Sequence, residues 1–134
     1  MAGFSNHLAQ AVINHFFRNQ SVSAPSSHYL ALFVADPTDV TATALTNEVS
    51  GSWYARKTVA FESPSDATDV VTANTAAVTF DAVTTAAVTV SHWGIFDAST
   101  VGNLLASGEF TTAKVLNVDD VFVVNAGDLT LTLD

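Results

Sequence analysis

The residue types that most often carry catalysis or bind metal are present in this sequence, but they are not grouped. His7 and His15 lie about two turns apart on one predicted helix, which is too far for a shared metal ion. His28 and His92 stand alone, and no zinc-binding spacing includes any histidine. The serines form no G-x-S-x-G sequence, and the six glycines form no phosphate-binding loop. The sequence therefore predicts no enzyme and no cofactor.

Acidic residues occur in pairs in three predicted turns, where oxygen ligands could gather around calcium. The pairs are Asp36 with Asp39, Asp66 with Asp69, and Asp119 with Asp120. None of the pairs belongs to the pattern of an EF-hand loop. Two interpretations stay open: these carboxylates are solvated turn residues, or they bind calcium that bridges two subunits.

The charge balance limits the possible partners. Four Lys and Arg residues stand against thirteen Asp and Glu, which gives a formal net charge of −9. Binding to nucleic acid depends on cations that displace counterions from phosphates, so we expect no direct nucleic-acid partner. The acidity is typical of a soluble surface, of adaptation to high salt, or of display in many copies on a large particle. The chain has no cysteine, no secretory signal pattern and no apolar run near the ~20 residues of a membrane helix, so we expect no membrane contact.

A helix is predicted at the start of the chain, over residues 5–18. Ser5 is a suitable N-cap, and Asn19 can end the helix in the left-handed conformation. Apolar residues recur at helical spacing on one stripe: Leu8, Ala9, Val12, Ile13, Phe16 and Phe17. This stripe needs an apolar seat, which the sheet of the same subunit or a neighbouring subunit could supply.

The remainder of the chain is rich in Thr and Val and predicts strands. Residues 28–35 are apolar on both alternating faces, as in a central strand that is covered on two sides. Further strands are predicted at 53–61, 70–72, 76–80, 114–118, 121–124 and 128–133, with polar loops at 40–52 and 62–70. We therefore expect an all-β fold: a single-domain β-sandwich or jelly-roll-like barrel of seven to nine strands over residues 28–134, with one short N-terminal amphipathic helix.

The other strands are expected to assemble on one hairpin, residues 91–110. Trp93, Ile95 and Phe96 precede a polar reversal, and apolar residues including Phe110 follow it. The intervening residues 97–103 contain the Asp, Ser, Gly and Asn that tight turns need. An isolated hairpin is only marginally stable in water, so the neighbouring strands must cover its apolar faces.

Large aromatic residues exceed what a small sandwich must bury. The candidate interface residues are Phe16, Phe17, Trp53, Tyr54 and Trp93. Aromatic side chains are the usual anchors of protein interfaces, although all five could instead belong to the core. Open strand edges also invite pairing with another chain.

Several stretches together resemble a family of short tailed-phage virion proteins often labelled tail-fibre-like. They are, in order, GFSNHLAQAVINHFF, YLALFVADPTD, EVSGSWYARKTVAF, NTAAVTF, HWGIFDASTVGNLLASGEF and AGDLTLTLD. The resemblance spans nearly the whole chain and rests on the order of these stretches, since none is catalytic. It implies a non-enzymatic structural role on the virion and a compact β-sandwich.

The resemblance leaves the position on the virion open. Because the chain lacks the repetitive shaft of a true fibre, we expect a capsid decoration or cement protein. It is expected to form a homo-oligomer, with a trimer as the expected form, and to bind the major capsid protein or other virion proteins. The helix and the loops 40–52 and 62–70 are the expected contacts. The alternatives are a tail, tail-fibre or tail-tip protein and a glycan-binding module that stacks sugars on Trp53, Tyr54 and Trp93. The protein would be made in the host cytoplasm and then join the virion.

Overall fold

The computed structural model of the protein describes residues 3–38, 46–66 and 68–133. Antiparallel strands make up most of the regular structure, together with one helix, so the predicted all-β class is confirmed. Asp39 and the first part of the predicted loop 40–52 lie outside the described residues. The helix is α1 (Asn6–Phe17), and the strands are β1 (Gly3–Phe4), β2 (His28–Phe33), β3 (Lys57–Val59), β4 (Ser65–Asp66), β5 (Val70–Ala73), β6 (Val78–Thr79), β7 (Val88–Phe96), β8 (Leu104–Leu116), β9 (Val123–Val124) and β10 (Thr130–Leu133).

Three sheets arrange these strands. A five-stranded sheet has the order β1-β8-β7-β2-β3, a three-stranded sheet the order β10-β5-β4, and a two-stranded sheet pairs β6 with β9. The predicted hairpin is confirmed as β7 and β8, which pair from Val88 opposite Leu116 to Phe96 opposite Leu104. Residues 114–116, predicted as part of a separate strand, instead continue β8. The hairpin is thus the longest ladder of the fold and the centre of its largest sheet.

Strand β2 lies between β7 and β3 and is covered on both faces, as its apolar pattern predicts. Leu30 and Leu32 belong to the larger hydrophobic cluster, whereas Ala31 and Phe33 belong to a second cluster with Phe96. All four β2 side chains are fully buried. The larger cluster also contains residues of the small sheets and their connections, among them Val78, Phe80, Phe122, Val124 and Leu129. The larger cluster is therefore the core that joins the five-stranded sheet to the two small sheets.

The predicted strand 53–61 is wrong over its first half. Only Lys57–Val59 forms a strand, while Trp53 lies in a turn that the backbone N–H of Tyr54 closes on the carbonyl of Gly51 at 3.1 Å. Gly51 has φ +148°, which glycine adopts without steric cost. The alternation in this stretch has a different origin, because Tyr54 and Arg56 both turn towards Glu48.

Asn74 interrupts the next predicted strands, as expected from the sequence, and its buried amide explains the break. The side chain donates to the carbonyls of Ala76 and Asn125 and accepts from the N–H of Leu129 at 2.9 Å. These bonds tie the end of β5 to the turn before β10. Among the described residues, no helix is long and apolar enough to cross a membrane.

Candidate interaction surface

The N-terminal end of α1 is fixed to the large sheet through Ser5. The Ser5 hydroxyl accepts a hydrogen bond from the N–H of Leu8 at 3.1 Å and donates to the carbonyl of Leu104. The Ser5 backbone N–H donates to the carbonyl of Leu105 at 2.8 Å. Ser5 therefore acts as the predicted N-cap and also attaches the helix to β8.

The C-terminal end of α1 is held by hydrogen bonds between the helix and the residues that directly follow it. Asn19 has φ +54°, and the N–H of Gln20 donates to the carbonyl of Asn14 at 2.9 Å. Arg18 donates to the side chain of Asn14 at 2.8 Å. These bonds satisfy part of the unpaired backbone at the helix C-terminus without any contact to the sheets.

The apolar stripe of α1 is only partly covered by the sheets. Leu8 packs against the larger core cluster, but no residue of the helix is fully buried. Phe16 is 74% exposed, Phe17 is 77% exposed, and Ile13 is about half exposed. We call these three residues the aromatic helix end. Large apolar side chains with this exposure, placed close together, mark a surface for contact with another molecule more often than an isolated exposed residue does.

The other candidate interface residues lie elsewhere. Trp53 is 6% exposed and Trp93 is 5% exposed, and both belong to the larger core cluster. Tyr54 is half-buried, and its ring stacks on Phe80. The structure therefore does not bring the five residues together: two phenylalanines face solvent, and the two tryptophans are packed within the chain. Trp53 and Trp93 therefore expose little ring surface on which a sugar could stack.

A polar cluster, which we call the Arg56 clamp, holds the turn of the central hairpin. Arg56 binds Glu48 with two parallel hydrogen bonds of 2.8 Å. The same guanidinium donates to the carbonyls of Ala98 at 3.0 Å and Val101 at 2.7 Å, and lies 3.6 Å above the ring of Phe96. Because its side chain is only 6% exposed, these partners replace nearly all of its hydration.

Tyr54 completes the clamp. Its hydroxyl donates to Glu48 at 2.8 Å and accepts from the backbone N–H of Leu32 at 3.1 Å. Burial, reinforced by the negative charge of Glu48, raises the pKa of Tyr54 far above its ordinary value. Tyr54 therefore stays neutral and acts as a fixed hydrogen-bonding link between the clamp and β2.

The hairpin turn itself is organised by Asp97. Its carboxylate accepts from the backbone N–H of Asn103 at 2.7 Å and from the Asn103 side chain at 2.8 Å. Burial alone would raise the pKa of Asp97, but the bonds from Asn103 outweigh it and lower that pKa below its usual value. Gly102 has φ +70°, and a Cβ there would lie 2.5 Å from Asp97 Oδ1, so this turn requires glycine.

A large cleft opens beside β8. It has a volume of about 790 Å³ and is lined by residues of β7, β8 and the chain from Val121 to Thr130. The buried or half-buried lining includes Trp93, Phe110, Phe122 and Leu129, and the exposed lining includes Glu109, Lys114 and Asp128. We call it the β8 cleft. Sequence reasoning missed it, because its walls come from segments that lie far apart in the chain.

The carboxylate pairs singled out in the sequence show no ion-binding arrangement where the structure describes them. Asp120 accepts from the backbone N–H of Asn117 at 2.8 Å, the role of a turn residue. Asp36 accepts from the N–H of Thr38 at 2.9 Å in the same manner. In the described part of the chain, no group of three or more Asp, Glu or His side chains could hold a metal ion.

The fold and this surface define a class: an all-β protein with a surface helix that presents apolar side chains to its surroundings. A family model described as "Podophage GP4 fiber I protein gp80" matches residues 3–132, and the chain belongs to this family of phage virion structural proteins. A search of curated proteins gives no significant match. The resemblance to tailed-phage virion proteins is thereby confirmed, and membership implies a location in the virion.

Proposed function

We propose that this protein is a structural component of the tail-fibre apparatus of a podophage virion. The observation that carries the proposal is the family match over residues 3–132, whose description names a fibre protein. The aromatic helix end supports it, because a virion component must offer surface to its neighbours. The capsid decoration role expected from the sequence rested on the missing repetitive shaft. That argument loses weight because the matched family is described as fibre proteins.

In this function the chain contributes contact rather than chemistry. Its buried polar residues form structural links: Arg56 and Glu48 hold a turn, and Asn74 joins β5 to the turn before β10. We therefore propose a non-enzymatic role, with other virion proteins and further copies of this chain as partners.

Capsid decoration remains the second candidate, favoured by the net charge of −9 on a small β-rich body. An acidic surface suits a protein displayed in many copies on a large particle, since like charges keep neighbouring particles apart. In this case the major capsid protein would be the partner.

Imaging of intact virions separates the two candidates. Cryo-electron microscopy should show density that fits this fold on the tail, and quantitative mass spectrometry should find the protein scarce relative to the major capsid protein. Density on the capsid lattice, with a copy number close to that of the capsid protein, would overturn the tail assignment in favour of decoration. A tagged version visualised by immunogold labelling provides an independent check of position.

A further inference from the structure

We propose that the aromatic helix end of one copy docks into the β8 cleft of a second copy. Ile13, Phe16 and Phe17 are exposed, because the fold of a single chain does not cover them. The chain's own cleft does not receive them, because all three remain exposed in the folded chain. A partner must therefore supply the apolar seat that this helix end lacks.

The cleft has the matching apolar surface and a free strand edge. Strand β8 pairs along its length with β7, but on its other side it pairs with β1 only at Ala106 and Ser107. Beyond those two residues, the outer edge of β8 has no strand partner among the described residues. This edge borders the aromatic lining formed by Phe110 and Phe122. An unpaired edge beside apolar surface is a common site of chain association.

Charge complementarity selects a second copy as the occupant. All thirteen acidic residues of the chain lie at or after Asp36, whereas Arg18 is the one Lys or Arg among residues 1–35. The aromatic helix end is thus followed by a positive charge. The β8 cleft carries Glu109 and Asp128 on its exposed lining, against Lys114 alone. The helix of one copy therefore matches the cleft of another in both polarity and charge.

A second cleft differs from the β8 cleft in the charge of its lining. It has a volume of about 630 Å³ and lies near β3 and β6, lined by residues that include His28 and Phe61. No Asp or Glu lines this cleft. It can accept apolar side chains, but it offers Arg18 no negative partner.

Helix-to-cleft docking joins two different surfaces, so every copy both donates a helix end and receives one. Such head-to-tail contacts close into a ring when the rotation between copies permits it. Such contact between copies is compatible with a tail location and with a capsid location.

Sedimentation velocity of the purified full chain over a range of concentrations tests the docking. We expect the wild-type chain to be oligomeric and the double variant Phe16→Ala, Phe17→Ala to dissociate, with a self-association Kd roughly 100-fold higher. The variant should retain the far-UV circular dichroism spectrum of the wild type, since both side chains are exposed. Val34→Ala is the matched control, because Val34 is exposed but lies outside both the helix and the β8 cleft. A wild-type chain that is monomeric at every concentration, or a double variant as oligomeric as the wild type, would overturn the proposal.

A charge exchange tests the cleft itself. Arg18→Glu and Glu109→Arg should each weaken self-association by roughly threefold, and the two combined should restore it. Restoration identifies the two side chains as neighbours across the interface, which a general loss of folding would not produce. Each single variant could weaken self-association while the combined variant self-associates more weakly than either. That result would show that the helix docks elsewhere.

Discussion

The aromatic residues Trp93 and Phe96 of the central hairpin are buried, whereas Phe16 and Phe17 of the helix are exposed. Trp93 and Phe96 on β7 are enclosed by the strands around them, and even the backbone is shaped to fit, since a Cβ on Gly108 would lie 2.6 Å from the Trp93 indole. Phe16 and Phe17 on α1 are mostly exposed to solvent. The hairpin aromatics therefore stabilise the fold, whereas the helix aromatics contribute little to it. This difference separates the residues that stabilise the fold from those that we propose as contacts with a second copy.

The largest effect on folding should come from Trp93→Ala. The change removes a buried indole from the larger core cluster and leaves a cavity beside Gly108. The free energy of unfolding should fall by about 4 kcal/mol. Urea denaturation followed by circular dichroism measures this loss. A change below about 1 kcal/mol would mean that the hairpin aromatics are not the core of the fold.

Breaking the Arg56 clamp should have the next largest effect. Arg56→Ala leaves Glu48 without its positive partner and leaves the carbonyls of Ala98 and Val101 without a donor. We expect a loss of about 3 kcal/mol in the free energy of unfolding. Lys57→Ala is the matched control, because its 3.0 Å bond to Asp81 is more exposed and should cost less than about 1 kcal/mol. Equal losses in the two variants would show that burial does not distinguish these ion pairs.

Acid should loosen the hairpin turn through Asp97. The pKa of this carboxyl is lower in the folded chain than in the unfolded chain, so its contribution to stability is complete above its ordinary pKa. It is lost as the pH falls from the ordinary aspartate value through the lowered folded value. Asp97→Asn should reduce the loss of stability over this range, as measured by urea denaturation at a series of pH values. An unchanged pH profile in the variant would contradict a stabilising role for the Asp97 carboxylate.

The smallest effect should come from Phe16→Ala and Phe17→Ala. Both side chains are mostly exposed, so each change should alter the free energy of unfolding of the single chain by less than about 0.5 kcal/mol. Urea denaturation under dilute, monomeric conditions measures this quantity. A loss close to that of Trp93→Ala would remove the contrast between the hairpin and the helix.

The sequence predicted the elements whose signals are local. Apolar residues on both faces of 28–35 indicated a central strand, which the structure shows over His28–Phe33. Ser5 indicated the helix start and the polar residues at 97–103 indicated a reversal, and both are confirmed. Residues 53–56 were wrongly assigned to a strand. Side chains also alternate in a non-strand segment in which Tyr54 and Arg56 both contact one partner. That partner, Glu48, lies outside the segment, so the pattern alone does not contain it.

The interaction surface was harder to predict, because periodicity identifies apolar residues without showing what covers them. Phe16 and Trp93 look equally suited to an interface in the sequence, and only the packing of β7 against β8 separates them. The β8 cleft depends on where the chain from Val121 to Thr130 lies relative to β8, which no local pattern encodes. Whether the five aromatic residues form an interface stays a prediction, now concentrated on Phe16 and Phe17.

The attachment of Ser5 to Leu104 spans 99 positions of the chain and has a consequence for the order of folding. A helix of twelve residues is marginally stable by itself in water, so α1 gains its lasting seat only after the hairpin strand β8 has been synthesised. During translation the N-terminal segment must wait for most of the chain to emerge from the ribosome. The surface that we propose for assembly is therefore complete only after β8 has joined the fold.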